Sequence, residues 1–105
     1  RDREIDNVEA IAYFGWTLAL QARLESADLT TDTRLDAAQI ALQQATVIDP
    51  DFADPQCFLA IIEFAFLDDA DAALPYVVAC ESGKPPADIA NLIAGFAADI
   101  RAAAS

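Results

Sequence analysis

The chain has 105 residues, 55% of them hydrophobic, with three Gly and five Pro, a composition that buries one modest core and excludes a disordered tail or a loop-rich disulfide scaffold. Eighteen acidic residues against six basic give a formal charge of −12, which repels phosphate backbones and anionic headgroups and so argues against nucleic acid and electrostatic membrane binding. Histidine is absent, which removes Ser-His-Asp and Cys-His nucleophile pairs and the commonest metal ligand; the carboxylates leave a glycosidase-like pair open, but no Gly-rich phosphate loop accompanies them, and no enzyme activity, metal or cofactor is expected.

Alanine-rich composition with few β-branched residues predicts an all-α chain. Val8 to Glu25 has no Pro and is apolar at helical spacing, which predicts a first helix over 6–25. Ser26, Asp28, Thr30, Thr31, Asp32 and Thr33 end it, because their side chains compete for backbone hydrogen bonds. The segment Ser26 to Thr33 is expected to be the most mobile internal part of the chain. Thr33 and Asp36 have capping-box spacing and open a second helix over 34–48, stopped by Asp49-Pro50. A third helix is expected over 54–67, with Asp54 as its cap and Pro55 in its first turn. Its longest apolar run, Cys57 to Leu67, is interrupted by Glu63 and falls short of the roughly 18 residues of a membrane span. Asp68 and Asp69 begin a fourth helix over 70–82, Ser82-Gly83-Lys84-Pro85-Pro86 ends it, and a fifth follows over 87–102. The short connections make neighbouring helices antiparallel. Absence of Met, even at position 1, predicts a processed product or a piece of a longer protein.

A repeat underlies these elements. Ala38, Leu42, Ala45 and Pro50 recur 35 positions later as Ala73, Val77, Cys80 and Pro85. Small residues follow each proline at a constant distance, Leu59-Ala60 after Pro50 and Ala94-Gly95 after Pro85, and Phe14-Gly15 is a third such point upstream. Gly15, Ala60 and Gly95 are therefore expected at close helix contacts.

These offsets resemble the tetratricopeptide (TPR) pattern of large and small residues followed by A-x3-F and P. In the first repeat the pattern falls on Ile11, Phe14, Gly15, Leu18, Ala38, Leu42, Ala45 and Pro50. In the second it falls on Gln56, Leu59, Ala60, Glu63, Ala73, Val77, Cys80 and Pro85, and it starts again at Asn91, Ala94, Gly95 and Ala98. Gln56, Glu63 and Asn91 depart from it, being polar where the family carries large apolar groups. The resemblance implies one domain over 1–105, a right-handed superhelical stack of two helix-turn-helix repeats and a closing helix. Repeat 1 would span about 8–50 with an inserted loop over 26–33, repeat 2 about 53–85, and the closing helix about 87–102. Tyr13-Phe14-Gly15-Trp16, Asp49-Pro50-Asp51 and Pro85-Pro86 also resemble small TPR domains at the C-terminal end of membrane-anchored proteins from high-GC bacteria, including ones grouped with cytochrome c maturation factors. That likeness implies a place on the outer side of the cytoplasmic membrane and a client polypeptide.

In TPR proteins the first helix of each repeat lines a concave face. The resemblance maps this face onto Glu9, Ala12, Trp16, Ala19 and Leu20, then Asp54, Cys57, Ile61, Phe64 and Ala65, then Ile89, Leu92, Phe96, Asp99 and Ile100. The implied partner-binding groove is Ala12, Trp16, Leu20, Cys57, Ile61, Phe64, Leu92, Phe96 and Ile100, with Ile61 and Phe64 equally suited to the core. No cation maps there, so the carboxylate clamp of some TPR proteins is absent and an apolar or basic-amphipathic peptide suits the face. The rival reading is self-association: a homodimer through Trp16, Leu20, Ile61, Phe64 and Phe96.

Six aspartates, Asp49, Asp51, Asp54, Asp68, Asp69 and Asp71, lack the Gly and distal Glu of a calcium loop and read as helix-start residues. Cys57 and Cys80 have no metal spacing and stand level in the expected hairpin, which leaves a disulfide or two small buried side chains. Ordinary helix axes lie about 8–10 Å apart, whereas a disulfide needs Cα atoms within about 7 Å, and this favours the second alternative.

Overall fold

The computed structural model describes residues 3–104, with side chains over 7–104. Its α-helices are α1 (Arg3–Glu25), α2 (Thr33–Ile48), α3 (Asp54–Ile61), α4 (Ala70–Ser82) and α5 (Ala87–Ala103), and the described residues include no strand. The chain divides into two units, Arg1–Asp51 and Phe52–Ser105.

In the first unit α1 packs along α2. Val8, Ala12, Ala19 and Ala22 from α1 and Leu35, Ala38, Leu42 and Ala45 from α2 are buried, each set recurring at the three- and four-residue steps of one helix face. A Cβ built on Gly15 would come within 3.1 Å of the Ala38 carbonyl oxygen, 3.2 Å of Leu42 Cγ and 3.3 Å of Ala41 Cβ. The absent side chain therefore lets the two backbones close on one another.

The connection holds a 3₁₀ turn at Leu29–Thr31. Asp28 caps it, accepting from the Thr30 backbone N–H at 3.0 Å and the Thr30 hydroxyl at 2.6 Å, so the inserted loop has hydrogen bonds of its own. The start of α2 also differs from expectation. Asp32, not Thr33, is the cap, accepting the Arg34 N–H at 2.8 Å. An extended residue just before the helix is needed to aim a side chain at the first free N–H groups, and Asp32 has that backbone while Thr33 is already helical. Arg34 also donates to Asp32 Oδ2 at 2.9 Å and pairs with Glu25. This guanidinium holds the Asp32 carboxyl well below the usual carboxylate range.

In the second unit α3, α4 and α5 pack on one another. Phe58, Leu59, Ile62, Val77 and Ile100 are its largest fully buried aliphatic and aromatic groups. The cap position of α3 is Ala53, without a side-chain hydrogen bond, and Asp54 is the buried first helical residue instead of the expected cap. The turn is set by packing: a Cβ on Gly83, at the end of α4, would lie only 2.6 Å from Ala53 Cβ.

The third helix is not α-helical to residue 67. After Ile61 it widens into a π-helical stretch, Ile62–Phe66, and Leu67 donates to the Ile62 carbonyl at 3.0 Å. Asp68 turns the chain with φ 56°, a left-handed conformation that Asp tolerates better than most residues. Asp69 then caps α4 by accepting the Ala72 N–H at 3.0 Å, as the sequence reading anticipated for this pair.

The cysteines correct a further expectation. Cys57 and Cys80 form a disulfide with Cα atoms 4.8 Å apart. Each Cα stands about 2.3 Å off its helix axis, so facing Cα atoms on axes about 8–10 Å apart fall within disulfide reach and the bridge needs no closer approach than ordinary packing.

Candidate partner-binding surface

The nine residues assigned to the groove have unequal exposure. Ala12, Cys57, Ile61 and Ile100 are buried, Trp16, Phe64 and Phe96 are half-buried, and Leu20 and Leu92 are 40% and 42% exposed. Cys57 is committed to the bridge with Cys80. Buried side chains offer nothing to a client, so the accessible apolar groups are Trp16 and Leu20 in the first unit and Phe64, Leu92 and Phe96 in the second.

On α1 these extend into a longer stripe. Tyr13, Trp16, Leu20 and Leu24 follow at steps of three and four residues and share one helix face. Tyr13 is 39% and Leu24 86% exposed, and Phe14, 61% exposed, lies off this face, about 100° round the helix from Tyr13. The sequence reading placed Trp16 and Leu20 on a client-facing surface but missed Tyr13, Phe14 and Leu24. Their signal was the apolar content of α1, more than the contact with α2 consumes.

Two other faces were not anticipated. On α2, Ile40, Val47 and Ile48 are exposed around Gln43 and Gln44 and line a shallow, uncharged depression with them. The available signal was the spacing of Ala38, Leu42 and Ala45, which puts Ile40 and Val47 on the opposite side of the helix. On α5, Asn91, Leu92, Gly95, Phe96 and Asp99 line another depression. A Cβ on Gly95 would meet nothing within 4 Å, which corrects its assignment to a close helix contact. An exposed ion pair joins Arg101 on α5 to Glu81 on α4 at 2.5 and 3.0 Å. That hydrogen bonding lowers the Glu81 pKa, but an exposed pair of this kind contributes little to stability.

No described helix is long and apolar enough to cross a membrane. Among the described residues no group of three or more Cys, Asp or Glu is placed to hold a metal ion. No family model matches the chain, and no curated protein and no solved structure matches it either.

Proposed function

We propose that the chain is a protein-interaction module, not an enzyme, built from two TPR-like helix hairpins and a closing helix, and that it binds an amphipathic helical segment of a client polypeptide. The observation that carries this reading is the stripe of exposed Tyr13, Leu20 and Leu24 with half-buried Trp16 on α1. An apolar helix face in water favours a partner that removes it from solvent, and a chain of net charge −12 favours a basic-edged one. The Cys57–Cys80 bridge supports an oxidising compartment, in keeping with an extracytoplasmic place.

Trp16 is the only tryptophan and reports directly on this stripe. Titration with a model helical peptide of Leu and Lys at amphipathic spacing is expected to shift its emission to the blue. Leu24→Ser should weaken binding about tenfold, and raised salt should weaken it further. No shift, or the same affinity for Leu24→Ser, would overturn the reading. Self-association is the second reading, favoured by the same stripe: a dimer in light scattering that Trp16→Ser dissociates would assign the face to a second copy.

The repeat makes its own prediction. Counting from Gly15 and Ala60, Ala12 and Ala45 are the counterparts of Cys57 and Cys80, and both alanines are buried. The double variant Ala12→Cys, Ala45→Cys is expected to close a second disulfide on air oxidation, read as loss of the added thiols without dimer formation. Persistent free thiols in the folded double variant would mean that the hairpins are not equivalent.

A further inference from the structure

We infer that α5 carries a second docking face, centred on Leu92 and Gly95, which accepts a helix of another polypeptide presenting a small-x3-aliphatic-x2-small face with cations beside it. The inference rests on the repeat reading proposed above, which makes Gly15, Ala60 and Gly95 equivalent. At Gly15 the notch is filled by α2, whose Ala38 carbonyl, Ala41 and Leu42 would all crowd a Cβ there. At Ala60, fully buried, the same face is held to α4 by the Cys57–Cys80 bridge one turn away. The two filling helices share one contact pattern: Ala38, Leu42 and Ala45 in α2, and Ala73, Val77 and Cys80 in α4, all of them buried.

At Gly95 the equivalent notch is open. A Cβ would meet nothing within 4 Å, and Leu92, the counterpart of buried Ala12 and Cys57, is 42% exposed. The depression lined by Asn91, Leu92, Gly95, Phe96 and Asp99 is the site that remains. Charge identifies its occupant. Asp88 and Asp99 are exposed on α5, where the covered helices have Val8 and Ala19, or Ala53 and Phe64. A helix seated between Asp88 and Asp99 is favoured by cations at its edges, and a second copy of this chain, with eighteen acidic and six basic residues, brings the wrong sign.

The test uses the full 105-residue chain and a labelled synthetic peptide with the sequence of residues 33–48, extended by lysines at both ends. Fluorescence anisotropy should report saturable binding that Gly95→Leu weakens at least about tenfold and that Asp99→Asn and added salt also weaken. Gly95 lies in open space, so Gly95→Leu should keep its helical circular dichroism and melt no lower than wild type. Leu24→Ser should leave this binding intact, which separates the α5 face from the α1 stripe. Absence of saturable binding, equal affinity for folded Gly95→Leu, or loss in Leu24→Ser alone would overturn the inference. So would a peptide-free dimer that Gly95→Leu dissociates, because the occupant would then be a second copy.

Discussion

Replacing both cysteines by alanine is expected to destabilise the second unit by about 3 kcal/mol, from the entropy that the closed loop withholds from the unfolded chain. The bridge spans a sequence separation of 23, long enough for the chain-entropy contribution to dominate and short enough that the unfolded unit is strongly confined. Alanine is the cleaner substitution. Both sulfurs are fully buried, and serine would add the separate penalty of two hydroxyls in an apolar site. Equilibrium urea unfolding followed by circular dichroism measures the effect. Burial of Cys57 and Cys80 also makes reduction of the wild-type protein wait for local opening, so reductant should act slowly below the melting range and quickly within it. An unchanged unfolding midpoint for the double variant would show that packing alone sets the α3–α4 spacing.

Two glycine-to-alanine variants are expected to move stability in opposite directions. Gly83 has φ −79°, which any residue adopts, so a backbone argument alone has alanine stabilise the protein by about 0.4–1 kcal/mol. Sterics reverse the sign. The new Cβ would sit 2.6 Å from Ala53 Cβ and 3.2 Å from Ala53 Cα, and neither atom belongs to a flexible side chain that can swing away. Overpacking of this kind costs about 1–3 kcal/mol and exceeds the entropic gain. Gly95→Ala has open space and a mid-helix position, so it should stabilise by about 0.5–1 kcal/mol. Thermal melts of the two single variants check both signs together. A Gly83→Ala protein more stable than wild type would mean that the Ala53 turn yields freely.

The boundaries of α4 were legible from Asp69 as cap, a regular run through Ala73, Val77 and Cys80, and Gly83-Lys84-Pro85 to stop it, although Pro75 stands inside the helix. The stretch after Ile61 was not legible. Its residues are apolar on nearly every side, so no periodicity distinguishes a four-residue hydrogen-bond step from the five-residue step that the chain takes. The Asp32 cap was hidden by competition, since Asp32 and Thr33 both carry suitable side chains and only the backbone at Asp32 decides between them. For the disulfide, the axial spacing of packed helices exceeds the separation of their facing Cα atoms by about two helix radii, and only the Cα separation limits the bridge. At the candidate surface, sequence located the apolar residues but not their exposure. Ile100 and Leu20 are similar side chains at equivalent positions of the repeat, yet one is buried and the other 40% exposed, because exposure depends on what lies alongside each helix.

The cross-link between α3 and α4 also has a mechanical consequence. A chain pulled from its two ends would lengthen through α1, α2 and α5, but the residues between Cys57 and Cys80 would stay behind the covalent bond. At about 3.3–3.6 Å per extended residue, the fully stretched oxidised molecule should be shorter than the reduced one by roughly 75–80 Å. Under tension the π-helical stretch, the Asp68 turn and most of α4 thus lie in a segment that carries no load, while the first unit bears the pull on packing alone.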